Sequence, residues 1–158
     1  MKRISFLAMA VAVAMTLQAK DILVNTPNTT LLLRTSENQP VHISYYGERI
    51  EDVHQVYNAY SLWEHAYPAF GAGCQEIPAL SVKHSDGNMS TELVYQSDTE
   101  KTEANSTLYT ITMKDKAYDF FVDVCYRAYN NSDVIETWSV IQGSFADIFQ
   151  SEFLRIYL

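Results

Sequence analysis

The chain holds 158 residues, the length of one ordinary domain, with 47% hydrophobic residues and a formal charge of −8. So acidic a surface repels phosphate backbones, and the sequence offers no polybasic run to hold anionic lipid, which argues against nucleic-acid binding and electrostatic membrane attachment. Two cysteines are too few for a zinc ribbon.

The chain opens like an export signal. Lys2 and Arg3 form a basic start, "ISFLAMAVAVAMTL" is an apolar run, and "LQA" ends in a small residue at Ala19. The apolar run is shorter than the roughly 20 residues that a spanning helix needs. Residues 1–19 are therefore expected to be a cleaved signal peptide, and 20–158 an exported domain, periplasmic or extracellular, with no membrane attachment after cleavage. Losing Lys2 and Arg3 removes two positive charges, which takes the formal charge from −8 to −10.

After that segment the sequence reads as strands. Tyr and Thr are frequent, and no amphipathic helical period is sustained. "DILVNT" and "TLLLRT" flank a turn at Pro27 and Asn28. "PVHISYYG" alternates Val41, Ile43 and Tyr45 against His42, Ser44 and Tyr46. Asp86-Gly87 lies between "ALSVKH" and "MSTELVYQ", and Asp-Gly between two strands predicts a hairpin. "STLYTITMKD" puts Tyr109, Ile111 and Met113 on one face. "YDFFVDVCYRAY" puts Val122, Val124, Tyr126 and Ala128 on one face and Asp123, Cys125 and Arg127 on the other. "DVIETWSVIQ" and "IFQSEFLRIYL" follow. Long antiparallel strands with short connections predict an all-β fold, a large antiparallel β-sandwich. The last run is still strand-like at Leu158, so the sandwich is expected to be incomplete at its C-terminus.

Candidate chemistry is sparse. No Gly-x-Gly-x-x-Gly, Walker or Gly-x-Ser-x-Gly pattern occurs, and "GAGCQE" reads as a turn that needs glycine. His54 and His65 are too far apart for a helical metal pair; strand geometry could still gather them, but the pattern gives no metal motif and no metal is expected. Cys74 and Cys125 could form one bridge in an oxidising compartment or remain two free thiols. Four Asn-x-Ser/Thr sequons, at Asn28, Asn88, Asn105 and Asn130, could carry glycans in a eukaryotic secreted protein, and read here as turn residues. Glu51, Asp52, Glu64 and Glu76 lie among aromatics, where a glycosidase would need two carboxyl groups. Tyr57, Tyr60, Trp63 and Tyr67 could stack on sugar faces, or serve packing and subunit contacts.

The stretch "YGERI…EHAYPAFGAGCQEIPALSVKHSDGNMSTELVYQSD" resembles the N-terminal domain of glycoside hydrolase family 36, the microbial α-galactosidases. The residues that carry the likeness are Tyr67-Pro68-Ala69-Phe70-Gly71, Gly73 with Pro78-Ala79, Asp86-Gly87, and Leu93-Val94-Tyr95. "FFVDVCYRAYNNSDVIETWSVIQ" is similar to the family's later strand pair, so the likeness runs over about residues 40–145. It departs at Cys74, where the family often has an acidic residue, and the segment Glu51 to Ala66 is short.

The resemblance implies a long-stranded β-sandwich of supersandwich type, followed by a catalytic (β/α)₈ barrel and a small β-domain. It implies retaining hydrolysis of terminal α-galactosides of the melibiose and raffinose type, without a cofactor, in a homo-oligomer. The family's nucleophile stands in a Lys-Trp-Asp motif that this sequence does not contain, and a barrel takes about 250 residues. The 158 residues are thus expected to be inactive alone and to meet substrate only through the barrel. Tyr60, Trp63 and Glu64 are the candidates for a place near substrate or at an interface; Tyr67, Pro68, Phe70, Gly71, Gly73, Pro78, Asp86 and Gly87 are the structural motif. The alternative expectation is a free-standing secreted carbohydrate-binding β-sandwich with Trp63 as its platform.

Overall fold

The structure is a computed structural model that describes residues 19–56, 64–71, 77–144, 147–151 and 156–157, with 149–151 and 156–157 described by backbone alone. The predicted signal segment lies outside the described residues except for Ala19. Eleven strands are described: β1 (Lys20–Asn25), β2 (Thr29–Thr35), β3 (His42–Glu48), β4 (Glu64–His65), β5 (Leu80–Lys83), β6 (Leu93–Thr102), β7 (Ser106–Asp115), β8 (Phe120–Tyr129), β9 (Ile135–Gly143), β10 (Asp147–Ser151) and β11 (Ile156–Tyr157). The helical content among the described residues is a single 3₁₀ turn at Val53–Val56.

The strands form an all-β antiparallel sandwich. One sheet has the order β1-β2-β3-β4, the second the order β11-β9-β8-β7-β6, and β5 pairs with β10 in a small third sheet. All strand pairings are antiparallel. β6, β7 and β8 each hold 10 residues and β9 holds 9. At about 3.4 Å per residue they run the length of the domain.

Alternation decides which residues fill the space between the sheets. Ile22, Val24, Leu31, Leu33, Val41 and Ile43 face it from the first sheet, and Ile111, Met113, Val122, Val124, Tyr126, Ala128 and Ile135 from the second. Each fully buried side chain of this kind contributes about 1.5–3 kcal/mol of transfer free energy. The opposite side of the first sheet is also covered. Thr30 and Leu32 are buried there, and Thr30 Oγ1 accepts the backbone N–H of Ile50.

β1 is clipped to the second sheet at both ends. At its start, Lys20 Nζ lies 2.6 Å from both oxygens of Asp98 on β6, and Tyr95 Oη donates to the same carboxylate at 2.5 Å. Past its end, Asp133 in the β8–β9 turn accepts from Thr26 Oγ1, the Asn28 backbone N–H and Asn28 Nδ2, all at 2.8 Å.

Two sequence expectations are corrected. Tyr45 does not continue the Val41–Ile43 face. The β2–β3 register slips between Leu32 and Leu33, so a bulge at Ser44 reverses the phase. Tyr46 then packs on the core, and Tyr45 Oη reaches across Gly47 to donate to Glu48 O at 2.8 Å. The predicted Asp86-Gly87 hairpin is likewise not a hairpin. Its turn forms, but β5 pairs with β10 and β6 pairs with β7, so the chain changes sheets there.

Candidate functional site

The residues of the family-like motif meet at one corner. β4 enters it, held by the stacked rings of His42 and His65, whose centroids are 5.1 Å apart. The chain after β4 then lies beside β5 through a parallel bridge between Ala69 and Leu80. Two hydrogen bonds fix it there: Ala79 N–H to Pro68 O at 2.8 Å and Phe70 N–H to Leu80 O at 2.9 Å. On its other side Thr91 N–H donates to Phe70 O at 2.9 Å. Residues 68–70 thus stand between the start of β5 and the approach to β6.

Glycine is required at two points of this corner. Gly71 has φ of 100°, and a Cβ there would lie 2.3 Å from Ser90 Oγ and 2.8 Å from Ser90 Cα. Gly87 has φ of 89° but faces open space. Its turn closes through Gly87 N–H to His84 O at 2.9 Å and His84 N–H to Asn88 O at 2.8 Å. Sequence marks both glycines through their motif, because a positive φ strains any residue with a Cβ.

A second set of contacts was not marked in the sequence. The His84 ring is buried, stacks on Tyr118 at 3.6 Å with an interplanar angle of 6°, and meets the edge of Phe120. His84 Nε2 pairs with Thr91 Oγ1 at 3.2 Å. Tyr118 Oη accepts from Asn88 Nδ2 at 2.9 Å and donates to Asp86 Oδ2 at 2.8 Å. The Asp86 turn is therefore fastened to the β7–β8 turn, where the buried Asp115 carboxylate accepts from the N–H groups of Glu92, Ala117 and Tyr118. Tyr118 lies more than thirty residues from His84, and no local pattern announces such a partner.

The other predicted residues distribute as follows. Tyr67 is buried, and its hydroxyl lies 3.3 Å from Ser139 Oγ on β9; burial pushes its pKa up. Pro68 is buried and Pro78 half-buried, while Glu64 is exposed at the edge of β4. Tyr57, Tyr60, Trp63, Gly73, Cys74 and Glu76 lie outside the described residues. Cys125 carries a free, buried thiol 3.8 Å from Thr110 Oγ1, and burial raises its pKa.

The shifted carboxyl groups all move one way. The Asn88 backbone N–H, with the Tyr118 hydroxyl, holds Asp86 below its ordinary pKa. Burial tends to raise Asp98, but hydrogen bonds from Lys20 and Tyr95 outweigh it and lower the pKa. The side chain of Asn28 leads the donors that lower Asp133. Each is held as a carboxylate, whereas a proton-donating glycosidase carboxyl is shifted upwards. The corner's own cavity, lined by Pro40, His65, Tyr67, Ala69 and Leu93 among others, holds about 50 Å³, far below the roughly 300 Å³ at which ligand pockets begin. A wider recess of about 660 Å³, open to solvent, lies at the start of β1 beside Lys20, Asp21, Glu37 and Tyr95. Among the described residues no three His, Cys, Asp or Glu side chains gather as metal ligands.

Comparison with known proteins places this geometry. Residues 38–148 match the model of the glycosyl hydrolase family 36 N-terminal domain. No curated protein sequence matches the chain. Among solved structures, the α-galactosidase AgaA of Geobacillus stearothermophilus is similar at 16% identity and a TM-score of 0.71, over 85% of this chain and 24% of that one. AgaB of the same organism is similar at 16% identity and a TM-score of 0.70, over 92% of this chain and 24% of that one. The α-galactosidase of Lactobacillus brevis is similar at 17% identity and a TM-score of 0.62, over 83% of this chain and 22% of that one. The chain thus spans about a quarter of the length of the first two solved proteins.

Proposed function

The chain belongs to the family of glycosyl hydrolase family 36 N-terminal domains, and from that membership we propose that it serves as the non-catalytic sandwich of an exported α-galactosidase. The match over residues 38–148 is the observation that carries the reading. In it, a (β/α)₈ barrel on the same polypeptide performs retaining hydrolysis of terminal α-galactosides of the melibiose and raffinose type, with two barrel carboxyl groups and no cofactor. The sandwich supplies a rigid flank to that barrel and takes part in building a homo-oligomer. Asp86, Asp98 and Asp133 are bound by donors that hold them below the ordinary carboxylate pKa, which suits structural clips rather than acid catalysis.

Export belongs to the same proposal. Cleavage after Ala19 would leave Lys20 as the first residue, which is the first residue of β1 and the residue that grips Asp98. A signal peptidase that cut there would leave the whole strand intact. N-terminal sequencing of protein recovered outside the cytoplasm is expected to begin at Lys20; a start at Met1 contradicts export by cleavage. The domain reading is tested by the coding sequence that follows Leu158. A frame running into a barrel with a Lys-Trp-Asp strand supports it, and a stop codon followed by an unrelated gene contradicts it.

A further inference from the structure

The two sheets meet in a seam beside the start of β1, and the open recess of about 660 Å³ lies along it. Lys20 and Asp21 of β1 and Glu37 and Asn38 of the β2–β3 connection line it from the first sheet, Tyr95 and Gln96 of β6 from the second. Its volume falls within the roughly 300–1,000 Å³ of small-molecule sites. Two backbone irregularities stand side by side there. Asn38 has a φ of 58°, the one positive value at a non-glycine residue among the described residues. The β6–β7 register shifts between Tyr95 and Ser97, which leaves Gln96 as the extra residue of a bulge. Tyr95 N–H donates to Gln39 O at 2.8 Å and so ties the bulge to the Asn38 turn. The lining divides into fixed groups and free ones. Arg34 holds Asp21 at 2.8 Å, and Lys20 and Tyr95 are both bound to Asp98. Glu37, Asn38 and Gln96 are exposed, and their side chains make no hydrogen bond or ion pair among the described residues. A fixed wall lowers the ordering cost of binding, and the free groups supply bonds.

We infer that this recess binds a neutral mono- or disaccharide through Glu37, Asn38 and Gln96. The inference goes beyond the reading of the chain as an N-terminal domain and does not depend on it. The lining selects the ligand class. Asp21 and Glu37 repel an anion, and the ammonium of Lys20 is already matched by Asp98. The six residues are polar, which disfavours an apolar ligand, and no three metal-ligating side chains gather among the described residues. The three free groups are one carboxylate, which accepts, and two carboxamides, which both donate and accept. Neighbouring hydroxyls of a pyranose answer both kinds of group. Tyr95 packs one side on the core, is half-buried, and offers its ring to the C–H face of a sugar.

Backbone amide shifts in two-dimensional NMR of the isotope-labelled 158-residue chain test the inference, with galactose, glucose, melibiose and sucrose as the probes. At least one of the four is expected to move the amides of Asp21, Glu37, Asn38 and Gln96 along saturable curves in the millimolar range. Gln96→Ala and Glu37→Ala are each expected to weaken that binding several-fold and to leave the thermal midpoint unchanged, since both side chains are exposed. Thr99→Ala, on the same strand outside the recess, is expected to leave binding unaltered. No saturable shift with any of the four sugars overturns the inference. So do shifts confined to other residues, and so does saturation that both recess variants leave intact. Saturable shifts at the same amides with ethanolammonium chloride, and none with the sugars, overturn the saccharide and make the ligand an organic cation. The readout is confined to these 158 residues, so a failure of the recess leaves the domain reading standing, and a stop codon after Leu158 leaves the recess standing.

Discussion

The meander of β6 to β9 and the corner around Gly71 both hold strands against the core, by different means. In the meander, long neighbouring strands hold their register throughout in β7–β8 and β8–β9 and over most of β6–β7, where one shift falls between Tyr95 and Ser97. In the corner, short segments from distant parts of the chain are joined by single contacts: one parallel bridge, one glycine against Ser90, and one ring stacked on Tyr118. Stability in the meander is spread over many equivalent side chains, whereas the corner depends on a few irreplaceable ones. Among the described residues, the corner segments also carry Phe70, Ile77 and Met89, three of the four exposed large apolar side chains. Regular pairing builds the body of the domain, and irregular pairing shapes the surface it presents.

The comparison can be broken by substitution. Tyr126 and Phe120 are fully buried in the meander, and Tyr126→Ala or Phe120→Ala is expected to cost about 3–5 kcal/mol, the range for truncating a buried aromatic. Urea denaturation measures it. A loss under about 1 kcal/mol would mean that the meander is not the centre of stability. The corner is probed by its two glycines. Gly71→Ala adds a clash with Ser90 to a positive φ and is expected to cost about 1–3 kcal/mol. Gly87→Ala meets only the φ penalty and is expected to cost about 1 kcal/mol. Equal losses at the two positions would show that the Ser90 contact yields freely. Tyr118→Phe keeps the stack on His84 and removes the bonds to Asp86 and Asn88, at a cost of about 0.5–1.5 kcal/mol by the same denaturation.

Acid sharpens the comparison at smaller amplitude. Asp86, Asp98 and Asp133 have lowered pKa values in the folded chain. A carboxylate with a depressed folded pKa contributes stability that is present above its unfolded value, near 3.8, and lost as the pH falls through the folded value. The thermal midpoint is therefore expected to be insensitive to these groups above about pH 5 and to fall below about pH 4. Asp133→Asn should flatten that acid limb and weaken the clip between the sheets. Asp86→Asn should flatten it without touching the clip. An acid limb unchanged in both variants would contradict the assignment of these carboxylates.

How much the sequence reveals follows the same division. β7 and β8 are legible in the alternation of Tyr109, Ile111 and Met113 and of Val122, Val124, Tyr126 and Ala128, because a strand buried on one face imposes period two on its residues. β3 is legible only as far as Ile43. The bulge at Ser44 inserts one residue, and no residue type there announces the change of phase. The Asp86-Gly87 turn is legible, but its consequence is not. Turn chemistry depends on two residues, whereas the partner of β5 is β10, more than sixty residues away. Gly71 is legible as a motif glycine, while the Ser90 contact that makes it necessary and the Tyr118 stack behind it are tertiary facts. Tyr60 and Trp63, the candidates nearest to chemistry, stand outside the described residues.

We propose that these 158 residues form a scaffold and that catalysis resides elsewhere on the polypeptide. Turnover of a chromogenic α-galactoside, measured side by side for the 158-residue chain and for the natural full-length chain, tests it most directly. Release of the chromophore is expected from the full-length chain, and none above background from the 158-residue chain. Turnover by the 158-residue chain, retained after purification to homogeneity, would contradict it.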